Sequence, residues 1–306
     1  MRTEPRREPY AGRLRWLVSP YAGLLLILAM AFGFFARTLG TWFFHDDLWY
    51  LLAVDTNSFP SYTLEAFDYR SARPVTDILY RPLFLVWFYG LFAAFGLNAW
   101  AYHLIGVLVH LSNATLLWMI AKKVTGREAI ANFAALIFVI HPSYAVSVAF
   151  VLSNITVFGT FVYLSSLLLF LHYLDGGVRR FWYYGASVLS FLVALLFHPE
   201  TAQLLAVLVL AFLLLRSSGF RDALDLRRWL PLLPFLAVAA GFLVLTTLSR
   251  QADPTNVQTT FQLGGHLVDN YVRYTAFAID PFRLSSENVA FQFDSRPLDG
   301  WRTWLP

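Results

Sequence analysis

The chain has no cysteine and little charge. The first absence excludes a disulfide framework, a thiolate metal site and a cysteine nucleophile. The second is more decisive. Charged residues make up 14% of the 306 positions while hydrophobic residues reach 58%, against about 25% charged in soluble domains. That deficit reads as an integral membrane protein, with the lipid bilayer as its first partner. There is also no internal repeat and no low-complexity tract. The net charge of +4 does not point to nucleic acid, because Arg and Lys gather at helix ends and not on one face. Aromatic residues are plentiful at 18%, and many fall near predicted membrane boundaries, as interfacial belts require.

Apolar runs at 20–39, 99–120, 154–173, 181–198 and 230–249 approach or meet the ~20 residues that cross a bilayer as a helix. Two shorter runs, 128–141 and 201–215, are also read as spans. The first run follows Arg2, Arg6, Arg7, Arg13 and Arg15. Ala29-Met30-Ala31 resembles a signal-peptide cleavage site, but the apolar stretch continues through Phe35, which favours a retained anchor. Leu83 to Phe95 is apolar, short, and bounded by Pro82 and Gly96. The positive-inside rule decides its placement. If it crossed, Lys122 and Lys123 would fall outside and every later basic loop would invert. If it lies in the interface, Lys122, Lys123, Arg127, Arg179, Arg180, Arg216, Arg221, Arg227 and Arg228 are all cytoplasmic. The expected fold is thus an all-α polytopic bundle of about seven transmembrane helices, with a juxtamembrane helix in the first outer loop.

Three segments follow: a basic cytoplasmic N-terminus at 1–19, a transmembrane module at 20–249, and an extracytoplasmic segment at 250–306. The last reads as the start of a longer C-terminal part. In this topology the polar residues able to do chemistry gather on the outer side. Asp46 and Asp47 lie just past the first span, among Phe43, Phe44, Leu48, Trp49 and Tyr50. Such a pair is costly to desolvate. It reads as a general base, as oxygen ligands for a divalent cation such as Mg²⁺ or Mn²⁺, or as the N-cap of a helix starting near Leu48. Arg81 reads as a bidentate phosphate ligand or as a snorkelling anchor. His103 and His110 share one side of the second span, too far apart to hold a metal together without a third ligand. Interhelical hydrogen bonding accounts for them, with His103 the better functional candidate. His141-Pro142 ends a span, as a helix terminator with an interfacial histidine or as part of a binding site. Ser153-Asn154-Ile155-Thr156 opens another, as a cap or an anion-binding turn, and contains a glycosylation sequon. Glu200, between two apolar runs, must face water or a cation, or cap a helix.

In order along the chain stand the carboxylate pair, Tyr80-Arg81-Pro82-Leu83, Gly96-Leu97-Asn98, Tyr102-His103-Leu104 with His110, Gly126-Arg127, His141-Pro142 and Pro199-Glu200-Thr201-Ala202. This series resembles the GT-C superfamily of polytopic glycosyltransferases. It is closest to the protein O-mannosyltransferase-like branch with transmembrane helices and tetratricopeptide repeats. The resemblance covers roughly residues 20–285, and no such repeat occurs in this chain. It departs in two places. Pro199 stands where the family's string has a lysine, and Ser153-Asn154-Ile155-Thr156 replaces a Gly-Arg-Ala-Asp-like string.

The resemblance implies a polyprenyl-phosphate-linked sugar donor, mannose-like, and a protein or glycan acceptor. It places the base on Asp46 or Asp47, puts Arg81 and His103 near the donor phosphate, and maps Glu200 onto a family glutamate, with His141 a further binding candidate. No cofactor follows from it, a divalent cation being an option only. It implies an extracytoplasmic site in a plasma, inner or endoplasmic-reticulum membrane. The rivals are a transporter of lipid-linked sugars, for which paired broken helices with midplane charges are missing, and a non-catalytic scaffold.

Overall fold

The computed structural model describes residues 21–44, 46–70, 80–216 and 226–252. The expectations for the basic N-terminus, for Arg221 and for the tail beyond 252 lie outside them. Among the described residues every regular element is helical. Five helices are long and apolar enough to cross a membrane: Ala22–Gly40, Ala99–Thr125, Asn154–Asp175, Arg180–Phe197 and Trp229–Ser249. Between 22% and 50% of each crossing window is buried inside the bundle, so much of each apolar surface faces outward. Leu25, Leu26, Phe34 and Leu243 are examples. Apolar faces of that extent require lipid.

Helix α1 (Ala22–Phe35) tightens into a 3₁₀ turn at Ala36–Gly40 and ends where Thr41 becomes extended. Two short helices follow, α2 (Asp46–Thr56) and α3 (Phe59–Phe67). Helix α4 (Pro82–Phe95) starts on its proline, whose missing N–H costs nothing at that position, and stops at Gly96 with φ 54°. The long α5 (Ala99–Thr125) closes on Gly126, whose left-handed backbone lets its N–H reach Lys122 O at 2.8 Å. Then come α6 (Glu128–Ile140), α7 (Ser143–Ala149), α8 (Asn154–Asp175) and α9 (Arg180–Phe197). A 3₁₀ turn at Pro199–Gln203 runs into α10 (Leu204–Arg216), and a further 3₁₀ segment (Leu226–Leu232) into α11 (Leu233–Ala252).

The two ends of the bundle differ. At the basic end Lys122 stands over the Trp118 ring at 4.6 Å and the Tyr21 ring at 5.4 Å, which ties the start of α1 to the end of α5. Lys123 pairs with Asp175 across α5 and α8. Midway along the α8–α9 seam, Ser166 Oγ donates to Ser187 O at 2.8 Å and Ser187 Oγ to Ser166 O at 2.7 Å. Each hydroxyl thereby finds a partner inside an apolar seam.

Helix α4 packs at the opposite, acidic end. Trp87 meets Phe158 in the second turn of α8 with ring centres 4.1 Å apart, and Phe88 meets Tyr102 at the start of α5. Phe84 and Phe88 are fully buried there. At 14 residues α4 is about 21 Å long. The segment 141–153, expected as an outer stretch, is instead built into the bundle. Pro142 breaks the helix, yet the apolar pattern continues through Val146, Val148, Phe150 and Val151. Tyr144 packs on His110, and Val148 is buried with Phe35, Val107 and Val157. Helices α6 and α7 thus follow one another in the bundle, joined by a kink at His141-Pro142.

Because the chain has no cysteine, single cysteines report its topology directly. Leu64→Cys and Leu97→Cys, on either side of α4, are expected to react with an impermeant maleimide from the same face of sealed vesicles. Val178→Cys should react only from the other. Opposite-side labelling of positions 64 and 97 would show that α4 crosses.

Candidate functional site

The site is assembled at the acidic end, beginning with the turn after α1. Phe43 inserts its ring edge-on against Tyr102 at 5.1 Å, which folds the chain back over the start of α5. Helix α2 then begins at Asp46 and not near Leu48. Asp47 Oδ2 accepts the Phe44 N–H at 3.3 Å, while the Asp47 N–H donates to Phe44 O at 3.2 Å. Only the carboxylate half of a capping box is present, since Phe44 has no side-chain oxygen to return the bond. Asp47 Oδ1 accepts the Leu152 N–H at 2.8 Å from a residue 105 positions on. Asp47 is fully buried, and its two oxygens hold the first loop against the entry to α8.

Asp46 is half-buried. Four residues on, Tyr50 lies on the same side of α2. Its ring packs between Phe84 at 5.9 Å and Phe88 at 5.7 Å, seating α2 on α4. Arg81, the residue that starts α4, donates from Nη2 to Tyr50 Oη at 3.5 Å, and its guanidinium stands 5.7 Å from the Phe84 ring centre. Tyr50 thus meets Arg81, with Asp46 one helical turn before it on α2. Sequence reasoning missed Tyr50. Its i+4 spacing from Asp46 was the available signal.

Of the remaining candidates, His103 and Glu200 share this end but not this corner. His103 lies in the first turns of α5, is 1% exposed, and has Nε2 at 3.0 Å from Thr41 Oγ1. It faces the bundle interior. Glu200 is 75% exposed in the 3₁₀ turn after α9, with Oε2 at 3.6 Å from His198 Nε2. His198 is the better-buried partner, 3.4 Å from Thr156 Oγ1 on α8. It lies so close that a Cβ on Gly159 would come within 2.8 Å of His198 Cβ. His141 is half-buried at the α6–α7 kink, its carbonyl accepting the Tyr144 N–H at 3.1 Å.

The string at Ser153–Thr156 makes no side-chain cap on α8. Asn154 turns inward instead, onto Gly106 of α5. Together with His103, His110 and Asn113 it contributes buried polar atoms without a protein partner among the described residues. Each such atom costs about 1–3 kcal/mol when left unpaired. A cavity of about 180 Å³ sits at the opposite end, lined by Lys123, Asp175 and apolar neighbours, away from every candidate.

Among the described residues no three His, Asp or Glu side chains converge to hold a metal ion. The Asp46-Asp47 pair also does not present two open carboxylates to a divalent cation, since both oxygens of Asp47 are taken by backbone N–H groups.

The two aspartates should separate in a stability assay. Asp47→Ala strands two backbone donors and is expected to cost at least about 2 kcal/mol, read as a lowered Tm in detergent. Asp46→Asn should lower Tm less, and equal losses in both variants would contradict the clamp.

No protein-family model matches the chain, and no curated protein or solved structure matches it significantly, so the site rests on its own geometry.

Proposed function

We propose that this chain is a membrane glycosyltransferase of the GT-C type. It moves a monosaccharide from a polyprenyl-phosphate donor to a protein or glycan acceptor at the acidic end of the bundle. The observation that carries the reading is the Arg81–Tyr50 hydrogen bond, with Asp46 one turn before Tyr50 on α2 and exposed Leu48 and Trp49 between them. A donor dissolved in the bilayer reaches such a corner without leaving the lipid. Its phosphate meets a cation suited to oxyanions, and a carboxylate waits one helical turn away.

In this mechanism the acceptor hydroxyl attacks the anomeric carbon as Asp46 takes its proton. The bond from that carbon to the phosphate oxygen breaks, and the phosphate leaves with the electron pair, stabilised by Arg81. One displacement inverts the anomeric centre. Phosphate is a good leaving group and needs no general acid. Asp47 holds the loop that presents Asp46, His103 braces the same loop through Thr41, and Glu200 with His198 sits on the rim. Seven crossings with a cytoplasmic N-terminus complete the reading, the broken α6–α7 and the segment Pro199–Leu215 supplying the two short ones. The full engagement of Asp47 is equally what a non-catalytic scaffold would show, so the test must fall on its neighbour.

Asp46→Asn is expected to lower transfer of radiolabelled sugar from polyprenyl-phosphate donors by about 10²–10⁴-fold. Arg81→Ala should weaken donor use with the fold intact. Wild-type transfer by Asp46→Asn would reject the base, and no transfer by the wild type from any such donor would favour the scaffold.

A further inference from the structure

Helix α5 carries a polar stripe that the transfer chemistry does not use. His103, Gly106, His110 and Asn113 recur at i, i+3, i+7 and i+10, within an arc of about 80° on the helix surface. The bare Gly106 lets Asn154 of α8 lie directly on α5, at a spot where a Cβ would come within 2.7 Å of both amide atoms. The seam between α5 and α8 therefore presents His103, Asn154, His110 and Asn113 in order, at levels about 4.5–6 Å apart. All four are at most 1% exposed.

Part of this set is satisfied. His103 Nε2 meets Thr41 Oγ1 at 3.0 Å, and Asn113 Nδ2 donates to Val157 O at 2.8 Å. The rest has no protein partner among the described residues: His103 Nδ1, both ring nitrogens of His110, Asn113 Oδ1, and both amide atoms of Asn154. Around His110 stand Phe35 from α1, Phe138 from α6 and Tyr144 from α7, none carrying a formal charge. An ion here would be uncompensated. The orphaned atoms include both donors and acceptors, since a neutral imidazole offers one of each and an amide offers both. The guest must be small, neutral, and able both to give and to accept hydrogen bonds. Water meets all three conditions.

We propose that the α5–α8 seam binds a file of water molecules that enters beside Thr41 and ends at Asn113. The file reaches about the middle of α5 and stops, so it hydrates half a span without opening a pore. It stands apart from sugar transfer and needs no donor or acceptor.

Radiolytic hydroxyl labelling tests it, because X-ray pulses oxidise side chains that touch bound water. The full chain in nanodiscs is irradiated in ¹⁸O water and read by mass spectrometry, normalised to the denatured chain. His110 should label several-fold above Phe170 and Phe191, which are equally buried among apolar side chains. Labelling of His110 at their level would overturn the proposal, and that comparison needs no variant. In Asn154→Leu, His110 should fall to the level of Phe191 while His103 keeps its label. Unchanged labelling of His110 there would overturn the seam as the route. Neither measurement reads transferase activity, so the outcome is independent of the glycosyl-transfer reading.

Discussion

One buried carboxylate determines how the acidic end is put together. Asp47 accepts backbone N–H groups from Phe44 and from Leu152, a local partner and a distant one. Without it the turn after α1 would have no polar tie to the entry of α8. The placement of α2 on α4 follows from that tie, since Tyr50 reaches Phe84, Phe88 and Arg81 only if α2 starts where it does. An ionised group inside a low-dielectric region stays there only with such bonds. The same requirement explains the Ser166–Ser187 pair, where two hydroxyls satisfy two carbonyls between apolar helices.

The division of labour between neighbouring aspartates follows from helix geometry. Consecutive residues on a helix point about 100° apart. When Asp47 turns into the bundle, Asp46 must turn toward its edge. Its exposed apolar neighbours Leu48 and Trp49 lie on that same edge. At the other end Lys122, Lys123 and Asp175 are engaged with aromatic rings and with one another. The asymmetry of the two ends matches the loop charges seen along the chain.

Much of this was legible in sequence, and the reasons are physical. Long apolar runs with terminal glycine or proline gave helix ends to within a few residues, as at Pro82, Gly96 and Gly126. Three things were not legible. Pairing across 105 residues, as between Asp47 and Leu152, leaves no local pattern. Thr41 as the partner of His103 carries no signal beyond being a hydroxyl near a helix end. The α6–α7 kink was missed because Pro142 announces an end, while only packing against Val107 and Val157 reveals that the chain resumes inside the bundle.

The kink has a consequence for the circumference of the molecule. Breaking a helix at His141-Pro142 leaves peptide groups that no longer bond along the helix axis. Some are taken up locally, the His141 and Pro142 carbonyls accepting the Tyr144 and Ala145 N–H groups. Ile137, Ile140 and Val146 stay exposed around the break while Phe138, Val139 and Val148 are buried, so on both sides of it one apolar face packs inward and another stays on the circumference.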